Sequence, residues 1–216
     1  MPQWLIILAT VSLVSGVACS VWIAADISLG RRQPMWIMNL VWPVSGLYAG
    51  PLALWAWYAF GRSSDQEHSR IQGIALGVSH CGAGCTLADL IVESSLILMP
   101  PLMLFGHEIF AAWVLDYCAA FLIGIAFQYF TIKPMSDKSP EQALWAAVKA
   151  DTLSLTSWQL GMYGWMAIAT FAIFGHALDK TGPVFWFMMQ IAMLCGFVTA
   201  WPVNTWLIGA GIKEAM

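Results

Sequence analysis

Apolar runs long enough to cross a bilayer alternate along the whole chain with short breaks that are polar or carry Pro and Gly. At about 20 residues per crossing, the runs predict helices over 3–29, 35–60, 71–101, 108–130, 143–175 and 184–210. The breaks have helix-stopping chemistry: Gly30-Arg31-Arg32-Gln33-Pro34, the polar stretch 61–70, Pro100-Pro101, the segment 131–141 and the segment 179–183. The pattern predicts an all-α integral membrane protein, a single domain over 1–216 formed by a bundle of about six transmembrane helices.

Composition supports this pattern. Hydrophobic residues make up 60% of the chain and charged residues 10%, against roughly 25% charged in a soluble domain, too few for a water-soluble surface. The nine Lys and Arg are scattered, so there is no basic patch and nucleic acid is excluded as a partner. With six crossings, Arg62, Arg70, Lys133, Lys138, Lys149 and Lys213 fall on the side shared by both termini, and Arg31, Arg32 and Lys180 opposite. Six against three predicts both termini in the cytoplasm. No basic region precedes the first apolar run, so it is expected to stay as a helix rather than leave as a signal peptide. Trp residues near span ends, Trp4, Trp36 and Trp206 among them, fit interfacial belts, and the rest of the thirteen are expected to pack inside.

The run at 71–101 is chemically unusual. Gly73, Gly77, Cys81, Cys85, Asp89 and Glu93 recur at a spacing of four, with His80 beside the first Cys. A buried carboxylate costs roughly 2.5–3.5 kcal/mol on insertion scales, so this edge should face the bundle interior or water. Thiolate and imidazole are ligands that copper and zinc prefer, and a carboxylate also serves zinc. His80, Cys81, Cys85 and Asp89 are therefore the candidate metal ligands, for Cu or Zn, with Cys195, Met188, Met189, Met193 or Met162 available to complete the shell. The competing reading makes Gly73, Gly77, Cys81 and Cys85 a stripe of small residues for close helix packing.

Further polar residues fall inside other runs. Asp151, Ser154, Thr156, Ser157 and Gln159 crowd one segment and suggest a wet lining or interhelical hydrogen bonds. Asp116 and Cys118 lie deep enough in 108–130 to face Asp89 or Asp151. Asp26 is expected to pair with Arg31 or Arg32, His107 and Glu108 to start a helix, and His176 and Asp179 to lie at an external surface. All five Cys fall within the spans, so no disulfide framework is indicated. The one-turn spacing of Cys81 and Cys85 keeps thiol redox chemistry open. An echo, Trp42-Pro43-Val44-Ser45 and Trp201-Pro202-Val203-Asn204, puts a Pro kink in two helices.

The stretches Ser79-His80-Cys81-Gly82-Ala83-Gly84-Cys85-Thr86-Leu87-Ala88-Asp89, Ala150-Asp151-Thr152-Leu153-Ser154 and Trp201-Pro202-Val203-Asn204-Thr205-Trp206-Leu207-Ile208 resemble an uncharacterised bacterial membrane family, the domain of unknown function 4396. The resemblance extends to the helix from Trp42-Pro43 to Gly61-Arg62, and so over most of the chain. It implies a multi-pass protein of the bacterial inner membrane and no particular activity. It also implies Glu at the positions held here by Asp89 and Gln159, so the second of these has lost a charge.

These readings converge on a membrane transporter or membrane-embedded binding protein for a soft metal ion or thiol compound. Glu93, Asp116, Asp151, Gln159, Cys195 and Asn204 would form its pathway or surround its ligands. Two alternatives stand beside it: an accessory subunit of a larger membrane complex, or a membrane thiol oxidoreductase using Cys81 and Cys85. Besides membrane lipid, a homo-oligomer or a larger assembly is the expected partner. No Gly-rich phosphate loop or paired-His helix motif is present, so binding or transport is expected rather than catalysis.

Overall fold

The computed structural model describes residues 1–62, 68–175 and 178–213, without the side chain of Met135. His176 and the run 63–67 lie outside the described residues. The elements are α1 (Gln3–Ser28), α2 (Met38–Ala49), α3 (Pro51–Ala56), α4 (Arg70–Leu98), α5 (Glu108–Met135), α6 (Pro140–Ala167) and α7 (Pro183–Gly209). Short π-helical turns extend α3 through Trp57–Gly61 and α6 through Ile168–Ile173. Among the described residues no strand forms beyond an isolated bridge between Leu104 and His107.

Local sequence sets the ends. Ser69 and Ser139 each accept a hydrogen bond from the backbone N–H three residues on, and Gln72 and Gln142 accept one back from the cap N–H. These capping boxes satisfy donors that a helix start leaves open. Four helices, α1, α4, α5 and α7, are long and apolar enough to cross a membrane. In α6, of comparable length, the run of Asp151, Ser154, Ser157 and Gln159 dilutes the hydropathy.

The expected single crossing at 35–60 is replaced by a helical hairpin. Residues near the start of α2 pack on Ile23 and Ile27 late in α1. By Gly46 the chain has reached Ser20, and at Gly50 it lies against Gly16, midway along α1. There it reverses. Trp57 Nε1 donates to Asp26 Oδ2 (2.8 Å), Arg62 pairs with the same carboxylate (3.0 Å), and Gln33 Nε2 donates to the carbonyl of Gly61 (2.7 Å). The hairpin thus enters and leaves at the end where α1 finishes, and Asp26 takes Arg62 as its ion-pair partner instead of Arg31 or Arg32. Gly50 (φ 51°, ψ −124°) makes the reversal possible, in a region that side-chain-bearing residues avoid. Close approach does the rest: a Cβ on Gly46 would lie 2.8 Å from the Ser20 backbone.

This hairpin changes the chain's sidedness. Gly209 lies near Arg70, and the Lys213 Nζ reaches the Gly77 carbonyl, so α7 ends where α4 begins. Leu5 packs with Val184 at the opposite end. With one segment turning back, Met1 and Lys213 lie at opposite ends of the bundle, not on one side as six crossings would require. α4 sits centrally, packed by α2, α5, α6 and α7. α1 buries only a stripe, Leu5, Ala9, Gly16, Cys19, Ile23 and Ile27, and exposes Ile7, Val11, Val14, Val17 and Val21.

Candidate functional site

Polar chemistry enters the bundle at the Met1 end. A cavity of about 490 Å³ opens there between α4, α5, α6 and α7. Four acids line it, Glu93, Glu108, Asp116 and Asp179, together with Lys180 and His107. Its deeper wall holds Met162, Met166 and Met189, each nearly inaccessible. Across it, Lys180 Nζ and Glu93 Oε2 form an ion pair of 2.6 Å. The Asp179 carboxylate accepts from the Thr181 backbone N–H (2.9 Å) and hydroxyl (2.8 Å), which holds its pKa below the ordinary aspartate value. His107 stacks edge-on against Phe110 and Phe171.

From this cavity a series of ionisable groups runs through the interior. Asp116 and Glu93 are the charged neighbours of Asp89. Cys85 lies beside Cys81, with Asp89 and Asp151 in electrostatic reach. Asp151 in turn faces Lys213. Asp89, Asp116 and Asp151 are each only 1% exposed. Both carboxylate oxygens of Asp89 and of Asp151, and Oδ1 of Asp116, have no hydrogen-bond partner. Gly124 makes room for Asp151, since a Cβ there would collide with the carboxylate.

The Lys213 end is closed by a fully bonded cluster. Asn204 Nδ2 donates to Ser154 Oγ (3.0 Å) and to the Ala200 carbonyl (2.9 Å). Lys213 Nζ donates to Asn204 Oδ1 (2.7 Å), to the Gly77 carbonyl (2.9 Å) and, more weakly, to Ser154 Oγ (3.4 Å). Burial holds the Lys213 pKa below the ordinary lysine value, and Asp151 and Cys81 oppose that shift.

The structure therefore gathers many of the residues picked from the sequence, but not as one metal shell. Asp89, Glu93 and Asp116 group near the cavity, Cys81, Cys85 and Asp151 lie deeper, and Asn204 lies deepest. His80 turns towards α5, with its ring edge-on to Phe127 (5.5 Å) and the Phe127 backbone near but outside good bonding geometry. Gln159 is buried on α6 with neither amide atom bonded. Cys195 packs towards Gly161, and Cys118 is exposed, away from the acids it was expected to face. Among the described residues no three His, Cys, Asp or Glu side chains converge closely enough to hold a metal ion. Sequence reasoning missed Lys213 and Lys180 as parts of the interior, because a lone Lys after an apolar run carries no signal that it turns inward.

A family model described as Domain of unknown function (DUF4396) matches residues 72–213. That span covers most of α4 and all of α5, α6 and α7, and so every acid of the interior series. No curated protein and no solved structure matches the chain.

Proposed function

Starting from the chain's membership of the DUF4396 family, which brings no activity with it, we propose a multi-pass membrane protein that binds and passes a soft metal cation. The observation that carries this reading is the run of buried, unpartnered carboxylates leading inward from an acid-lined cavity. An ionised carboxylate without a partner in a low-dielectric interior costs several kcal/mol. Asp89, Asp116 and Asp151 are explained if a cation, or protons that a cation displaces, occupies this route. The methionines on the cavity wall and the paired thiols below favour a soft ion such as Cu(I), with Zn(II) second. Cys81 and Cys85 are too deeply buried to meet a redox partner, which favours cation passage over thiol exchange.

The test is metal analysis of purified protein loaded with Cu(I) or Zn(II), comparing wild type with Asp89→Asn/Asp116→Asn and with Cys81→Ser/Cys85→Ser. The acid variant is expected to lose at least ten-fold in retained metal, and the thiol variant to lose Cu(I) selectively. Equal content in all three would reject the reading.

The hairpin also sets the proposed orientation. With it in place, Arg31, Arg32, Arg62, Arg70, Lys133, Lys138, Lys149 and Lys213 all belong to the Lys213 end, leaving Lys180 at the other. By the positive-inside rule the Lys213 end is cytoplasmic and the acid cavity external. A count that takes the segment 35–60 as a crossing puts both termini in the cytoplasm; the hairpin removes that crossing. A membrane-impermeant thiol reagent should label a cysteine placed at Gln3 in intact cells, and one placed at Ile212 only after permeabilisation. Labelling of both in the same compartment would overturn this topology.

A further inference from the structure

A second, smaller cavity of about 200 Å³ lies at the tip of the α2–α3 hairpin. α1 and α4 both pack on α2 and α7 without packing extensively on each other, and the cavity fills the gap that this leaves. Its mouth is apolar, formed by exposed Val17 of α1 and half-buried Leu90 of α4. Tyr48 and Trp186 supply aromatic walls, and Asp89 lies on the lining with almost no exposed surface.

The polar groups around this cavity are satisfied, with one exception. The Thr86 hydroxyl donates to the Gly82 carbonyl (2.7 Å). Gln190 donates to the Leu47 carbonyl (2.7 Å) and accepts from Ser12 (2.8 Å), and Trp186 Nε1 donates to the Lys180 carbonyl (3.0 Å). Only the Asp89 carboxylate has neither oxygen bonded. An apolar chamber with aromatic faces and one buried, unsatisfied acid is complementary to a positive charge carried on a hydrophobic body and bearing N–H donors. Its volume is below the range of drug-sized sites and suits a fragment.

We propose that this chamber binds a small lipophilic ammonium ion, entering sideways between α1 and α4, with Asp89 as its counter-ion and Tyr48 and Trp186 against its cationic head. The site shares Asp89 with the metal route but does not depend on metal.

The probe pair is phenethylamine, protonated at neutral pH, and propylbenzene, its neutral analogue of nearly the same shape. In detergent-solubilised wild type, phenethylammonium is expected to bind at least ten-fold more tightly than propylbenzene. Asp89→Asn, which keeps the size of the side chain and breaks no hydrogen bond of the carboxylate, should abolish that preference. Leu90→Trp, which fills the mouth, should lose amine binding while retaining wild-type metal content. Equal binding of the two probes to wild type would mean an apolar void only and overturn the proposal, as would unchanged amine affinity in Asp89→Asn. Wild-type metal content in Asp89→Asn/Asp116→Asn, with the amine preference lost in Asp89→Asn, would count against the metal reading alone.

Discussion

Cutting Trp158 back to alanine is expected to lower the unfolding free energy by about 3–5 kcal/mol, the range for a large aromatic removed from a packed core. In detergent this corresponds to a fall in Tm of roughly 6–20 °C for a chain of this size. Trp158 is fully buried at the centre of the bundle. Its ring is wedged between helices: a Cβ on Gly82 of α4 would collide with it, and one on Gly196 of α7 would lie 2.8 Å from the indole nitrogen. Tyr48 closes one side at 5.9 Å and Phe197 another at 6.4 Å. The converse change tests the same wedge, since Gly82→Ala should cost about 1–3 kcal/mol through overpacking. Combining it with Trp158→Phe should cost less than the sum, because the smaller ring vacates the space the new methyl needs. A Gly82→Ala variant as stable as wild type would show that the helices are not held apart by this ring.

Lys213→Met is expected to cost about 3 kcal/mol. Two short charge-assisted hydrogen bonds disappear, and the Gly77 carbonyl and Asn204 Oδ1 lose a donor in a sealed interior. The pH dependence has a definite sign. Because the folded-state pKa of Lys213 is depressed, the unfolded chain binds more protons between that value and the ordinary lysine value of about 10.4. Wild-type stability should therefore gain on the variant as pH rises through this window. Thermal melts of both proteins across alkaline pH measure it, and a constant difference would mean that Lys213 titrates normally and is solvated.

How much of this was legible in the sequence differs from element to element. The ends of α4 and α6 were readable because a polar break meets a long apolar run there, and the buried carboxylates because hydrocarbon tolerates them so poorly. The hairpin was not readable. The residues on both sides of Gly50-Pro51 are almost all apolar, and hydropathy records depth in a membrane without direction of travel. A Gly-Pro pair inside such a run looks the same for a kink as for a reversal. The site was half legible for a geometric reason. A spacing of four advances about 40° beyond a full turn at each step, so the row from Gly73 to Glu93 winds roughly half-way round α4 instead of forming one edge. Gly77 accordingly meets Lys213 on one side of the helix and Glu93 meets Lys180 on another, while His80, displaced by one residue, is carried towards α5.

The reversal at Gly50 also bears on how the protein is made. Neither arm of the hairpin is long enough to traverse a bilayer, and the backbone at its tip is tolerable in hydrocarbon only when shielded by protein. Part of that shield, the Gln190 side chain bonded to the Leu47 carbonyl, is synthesised about 140 residues later, in α7. In the proposed membrane setting, the first quarter of the polypeptide thus has no finished resting place in the lipid while the ribosome is still working. Its insertion would then be completed from the other end of the gene product, once α7 brings Gln190 to the Leu47 carbonyl.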